Sequence, residues 1–85
     1  MEPTQRQIAR LLGYPTTAAL TDGDLNAGLT AQPERAATGL VDEAFASDDV
    51  GSAAEARAFV EERVAEWQDV IDDDVRHRVA SIASV

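Results

Sequence analysis

Apolar residues recur at spacings of three and four along most of this chain, which is the pattern of amphipathic helices. The longest such run lies in the C-terminal half and contains Ala56, Phe59, Val60, Val64, Trp67, Val70, Ile71, Val75, Val79 and Ile82. Ser52 and Glu55 fit the capping box that begins helices, and neither Gly nor Pro interrupts residues 53–83. The pattern therefore predicts one continuous helix over residues 53–83.

The length of this helix raises a problem of fit. It would span about 46 Å at 1.5 Å per residue, whereas a compact domain of this size is about 30 Å across. Two alternatives therefore stay open: the helix kinks or breaks near residues 72–74, or its end, residues 73–85, projects from the domain. Each acid at 72–74 precedes a base by four residues, which favours continuity. A projecting end would expose Val75, Val79 and Ile82 and would need a partner.

Two shorter helices are predicted upstream. The first covers about residues 4–13, with Thr4 as N-cap and Gly13 at the position after the helix where glycine is favoured. The second covers residues 33–46, because Pro33 suits a first helical position and apolar residues repeat after it. Residues 16–32 are rich in Thr, Gly, Asp and Asn and are expected to be a polar connecting segment. The prediction is a single all-α domain over 1–85, a small bundle of three main helices.

Composition adds a reason to expect association. The chain is 45% hydrophobic, but 16 of its 85 residues are Ala, which buries little area per side chain. It has no Cys, so disulfides and thiolate metal sites are excluded. Small cores are often completed by a neighbouring chain. We therefore expect protein partners, either as a homo-oligomer or as part of a larger assembly.

The charge balance is strongly acidic. Sixteen acids face seven bases for a net charge of −9, and all seven bases are Arg. A GC-rich genome accounts for part of this composition. A halophilic origin accounts for it more fully, because self-repulsion at this charge is screened in molar salt, where the Debye length is about 3 Å. The charge also disfavours nucleic acid as a partner, since phosphate binding needs positive charge.

Membrane and secretory segments are not expected. No stretch approaches the ~20 apolar residues of a membrane span, and the N-terminal residues lack an apolar signal region. The expected location is the cytoplasm or a virion.

The sequence gives only weak evidence for a cation-binding site or a catalytic site. Asp22, Asp24 and Asn26 have the spacing of the first three ligands of a calcium-binding loop, but the twelfth position is Pro33. A capped helical turn is the simpler interpretation, and cation binding over residues 22–34 stays open. His77 is the single histidine and has no candidate catalytic partners. We therefore expect no enzyme activity, no resident metal and no cofactor.

Two resemblances indicate classes of function. The segment from Gln5 to Tyr14 resembles the first helix and turn of helix-turn-helix regulators, but acids follow it instead of an Arg-rich recognition helix. The run Leu11-Leu12-Gly13-Tyr14, then Asp22-Gly23-Asp24-Leu25 and longer amphipathic helices, is similar to head–tail connector proteins of tailed viruses over about residues 4–70. That resemblance implies a helical, non-enzymatic component that forms rings in a virion, here of a virus that infects haloarchaea. The alternative is an acidic regulatory protein, including a degenerate helix-turn-helix DNA-binding regulator.

Trp67 lies in the middle of the C-terminal apolar run, where it fits either a core or an interface. If the last helix projects, its apolar face becomes the binding surface. The candidate interface residues are Phe59, Trp67, Ile71, Val75, Val79 and Ile82.

Overall fold

The computed structural model describes residues 2–15 and 19–83, and within these ranges the chain forms five α-helices and no strand. The helices are α1 (Pro3–Leu11), α2 (Asp22–Ala31), α3 (Pro33–Ala46), α4 (Ala53–Ala65) and α5 (Asp73–Ile82). The all-α prediction is confirmed, and α3 has the bounds expected from the sequence. The described residues form five helices instead of the three that the sequence predicted.

Helix α3 is the centre of the fold, because it packs against each of the other four helices. Its inner face is small: Ala36, Ala37 and Ala44 are buried there beside Leu40. Alanine at these positions lets neighbouring helices approach closely. The largest fully buried side chains around it are Trp67, Ile8, Leu12, Leu25, Leu29, Leu40, Val60 and Val79. The thin, Ala-rich core predicted from composition is thus one cluster to which every helix contributes, α5 through Val79.

The two ends of α1 are set by local hydrogen bonds. Its N-cap is Glu2, not the expected Thr4, and the Glu2 backbone N–H donates to Gln5 Oε1 at 3.0 Å. At the other end Gly13 has φ 76°, and the N–H of Tyr14 donates to the Ala9 carbonyl at 2.9 Å. This is the Schellman arrangement, in which glycine takes a left-handed conformation at low cost. The predicted role of Gly13 is therefore confirmed.

The connecting segment predicted over residues 16–32 was largely wrong, because α2 occupies its second half. Thr21 begins α2: its Oγ1 accepts from the Asp24 N–H at 3.1 Å, and its own N–H donates to Asp24 Oδ2 at 3.0 Å. Such a reciprocal cap can begin a helix despite two glycines in it. Burial of Leu25 and Leu29 then holds α2 on the core. Residues 16–18 lie outside the described residues.

The continuous helix predicted over residues 53–83 is not found, and of the two alternatives the structure has the break, which ends where α5 begins at Asp73. Helix α4 ends at Ala65, the chain makes short turns in which N–H groups donate three residues back, and α5 begins at Asp73. Helix α5 packs against α2, α3 and α4, so residues 73–83 do not project. Folding back buries Val79 completely, which a straight helix would leave in water. The molecule accordingly measures 36 × 24 × 20 Å; residues 84–85 lie outside the described residues.

One side chain of α2 holds the turn between α4 and α5. The Asn26 amide nitrogen donates to the Val70 carbonyl at 2.9 Å, and its oxygen accepts from the Asp72 N–H, also at 2.9 Å. Asp72 has extended backbone angles and is the N-cap of α5, and Asp73 and Asp74 lie in its first turn. Negative charge is favoured at that helix end. The acidic run therefore starts a helix instead of continuing one.

Candidate interaction surfaces

Half of the predicted interface belongs to the core of this chain. Trp67, Ile71 and Val79 are all buried, and Trp67 has no exposed surface. The Trp67 indole N–H points toward Gln7 Oε1 at 3.4 Å, across 60 positions of sequence. These three side chains contact their own fold, so a partner cannot reach them while the fold is intact.

The other three predicted interface residues lie in separate places. Phe59 is half-buried under the guanidinium of Arg63, which lies 5.0 Å from the ring centroid. Val75 is half-buried beside Thr30 of α2. Ile82 is 41% exposed near the end of α5. The structure therefore does not bring the six predicted residues together as one face.

An apolar surface lies along the contact between α3 and α5. Phe45 is 54% exposed, and Val41, one turn earlier on α3, is half-buried beside a groove that Ile82 also lines. We refer to Val41, Phe45 and Ile82 as the α3–α5 surface. In the sequence, Phe45 belongs to the apolar face of α3. The 3.6-residue period of that face does not show that this position lies at the edge of the core and not inside it.

A second groove runs between the turn after α3 and the outer face of α4. Its volume is about 420 Å³, and Val50 and Phe59 line it together with four acids. We refer to Asp49, Glu55, Phe59, Glu62 and Glu66 as the acidic groove. Arg63 is the cation that lines it, and this Arg already contacts the Phe59 ring and Glu66, the latter at 3.5 Å. The groove thus keeps an excess of negative charge.

Positive charge occurs where α1 ends. The Arg35 guanidinium lies directly against the Cα of Gly13, in space that a side chain would fill. Arg10 lies one turn before Gly13, and both Arg side chains are exposed. Neither makes an ion pair or hydrogen bond with the residues that the structure describes. We refer to Arg10 and Arg35 as the basic pair, a feature that sequence reasoning missed because it joins two helices.

The residues of the calcium-like spacing are engaged within the fold. Asp22 Oδ1 accepts from the Gln5 amide at 2.6 Å, Asp24 caps α2, and Asn26 holds the turn before α5. Across residues 2–15 and 19–83 there is no group of three or more His, Cys, Asp or Glu side chains that could hold a metal ion. The capped-turn interpretation of residues 22–26 is the one that the geometry matches.

The resemblance to helix-turn-helix regulators predicts that α2 would be the recognition helix. Helix α2 follows α1 after residues 12–21, and it carries Asp22 and Asp24 but neither Arg nor Lys. It has none of the positive charge that a recognition helix presents to phosphate.

Comparisons of the chain with protein-family models, with curated proteins and with solved structures found no match. Among the described residues, no helix combines the length and the apolar character needed to cross a bilayer.

Proposed function

We propose that this chain is a non-enzymatic structural or adaptor protein that acts through contacts with other proteins. The α3–α5 surface is the observation that supports this most directly. Phe45 and Ile82 are large apolar side chains left 54% and 41% exposed, and Ile82 lines a shallow groove together with Val41, one turn before Phe45 on α3. Grouped apolar side chains at a surface are typical of protein-binding sites, and aromatic residues are enriched in such interfaces.

Within this class, the particular role that we propose is that of a head–tail connector in a virus of a halophilic host. The support is the sequence resemblance together with an acidic, Lys-free composition. An acidic regulatory protein is the alternative, and it would use the same kind of surface. Its DNA-binding form has less support, because α2 lacks basic residues.

Photo-cross-linking at Phe45 tests the proposal. Because the chain has no Lys, amine-reactive cross-linkers have almost nothing to attack, so a photoreactive phenylalanine analogue is placed at position 45. The labelled chain is produced in the cells that normally make it and is irradiated there. We expect a discrete protein adduct, identified by mass spectrometry, that weakens when Ile82→Gln is added, because Ile82 lines the same surface.

The same analogue at Ala27 is the matched control, since Ala27 is an exposed helical position on α2. Equal adduct yields from positions 27 and 45 would count against the proposal. So would a position-45 adduct that is indifferent to Ile82→Gln.

A further inference from the structure

Two surfaces of unlike charge lie at opposite ends of α3. Arg35 is in the first turn of this helix, and the acidic groove begins at Ser47, immediately after its last residue. The two positions are separated by about 18 Å along the helix axis at 1.5 Å per residue. Among the described residues, neither Arg of the basic pair forms an ion pair with an acid of the groove.

The acidic groove has the features that a guanidinium needs. Arg63 shows this within the chain: its guanidinium stacks over Phe59 at 5.0 Å and contacts a carboxylate of Glu66. Stacking on an aromatic ring and pairing with carboxylates are the two contacts that favour Arg over Lys. Asp49, Glu55 and Glu62 remain along the groove, so its charge is only partly balanced from within.

The basic pair has the complementary features. Both guanidinium groups are exposed and lack an ion pair among the described residues. They belong to different helices, and the Arg35 guanidinium reaches the end of α1 because Gly13 has no side chain to keep it away. In a chain whose net charge is −9, these two guanidinium groups give the end of α1 a local positive charge.

We propose that the basic pair of one copy of this chain docks into the acidic groove of a second copy. Complementary charge steers and orients such contacts. The net charge of −9 on each copy opposes association at long range. At about 0.15 M salt the Debye length is about 8 Å, so the charges at the contact dominate over those on the far sides. The contact joins unlike surfaces and is separate from the α3–α5 surface.

Charge reversal at each surface tests the contact. The Arg10→Glu/Arg35→Glu variant loses the basic pair, and the Glu55→Arg/Glu62→Arg variant loses the acidic groove. In about 0.15 M KCl, sedimentation equilibrium should give a wild-type mass above the 9.1 kDa of one chain. Each variant alone should associate at least about tenfold more weakly, because like charges then face each other. Mixing the two variants in equal amounts should restore association.

The Glu61→Arg/Asp69→Arg variant is the matched control for the groove variant, since it raises the net charge by the same amount at exposed positions outside the groove. It should associate as the wild type does, and circular dichroism checks that all variants are helical. A monomeric wild type, or a mixture of variants that stays monomeric, would overturn the proposal. Association that Phe45→Gln abolishes and charge reversal leaves intact would also overturn it, while leaving the proposed function standing.

Discussion

The side chain of Asn26 completes the N-terminus of a helix that lies 46 positions further along the chain, by accepting a hydrogen bond from the Asp72 N–H at 2.9 Å. The same amide group donates to the Val70 carbonyl. A single side chain thus satisfies two backbone groups of the turn that reverses the chain into α5.

Replacing Asn26 should therefore loosen α5 in particular. We expect Asn26→Ala to lower the free energy of unfolding by about 1–3 kcal/mol, the range for leaving such partners unpaired. Urea denaturation measures this loss, and amide hydrogen exchange should show faster exchange at Asp72 than in the wild type. Thr30→Ala is the control, because it removes a hydrogen bond within α2 alone, and it should cost less. Unchanged exchange at Asp72 would show that Asn26 does not hold the turn.

Two glycines of α2 should respond in opposite directions to alanine. A Cβ at Gly28 would lie 2.7 Å from the Tyr14 hydroxyl and 2.8 Å from Leu12 Cδ1, whereas a Cβ at Gly23 meets nothing closer than 3.6 Å. Gly28→Ala should destabilise the fold by about 1–3 kcal/mol through overpacking. Gly23→Ala should be neutral or stabilise it by up to about 1 kcal/mol, because Ala favours helix. Thermal denaturation of both variants gives the signs, and a stable Gly28→Ala would disprove the close approach.

Trp67 and Ile82 were predicted together as interface residues. We expect replacement by Ala to lower the stability of the fold far more at Trp67 than at Ile82. Trp67→Ala should cost about 3–5 kcal/mol because it empties a fully buried site. Ile82→Ala should change stability by no more than about 0.5 kcal/mol, as is usual at exposed positions. Fluorescence offers a second measurement, since the chain has one Trp. Acrylamide should quench it poorly in the native state and strongly in urea; efficient native-state quenching would contradict its burial.

Salt should stabilise this fold. The net charge is −9, so the acidic side chains repel one another. This repulsion is strong in dilute buffer, where the Debye length is about 30 Å at 0.01 M, and weak at 1 M, where the Debye length is about 3 Å. We therefore expect a higher unfolding midpoint in molar KCl than at 0.01 M. Glu61→Gln/Asp69→Gln removes two negative charges and should show a shallower dependence on salt. A midpoint that falls as KCl is added would rule out self-repulsion as the dominant electrostatic effect.

Local signals in the sequence located several helix ends correctly. Pro33 begins α3 as expected, and the backbone of Gly13 ends α1 in the predicted conformation. Ser52 also caps α4, its hydroxyl accepting from the Glu55 N–H at 3.2 Å. These ends are predictable because every partner lies within five residues. The candidate surfaces were harder to predict from the sequence. Phe45 and Trp67 both lie on apolar faces, and periodicity alone does not distinguish the edge of a core from its centre.

The sequence by itself determined the helical class of this protein, its charge and the local caps, because each depends on composition or on neighbours in the chain. Only the tertiary structure decided that the long apolar run over residues 53–83 is two helices. Its spacing of three and four fits a straight helix and a folded one equally well. The choice depends on burying Val79 and on the bonds from Asn26 to the turn, and both effects come from residues far away in sequence.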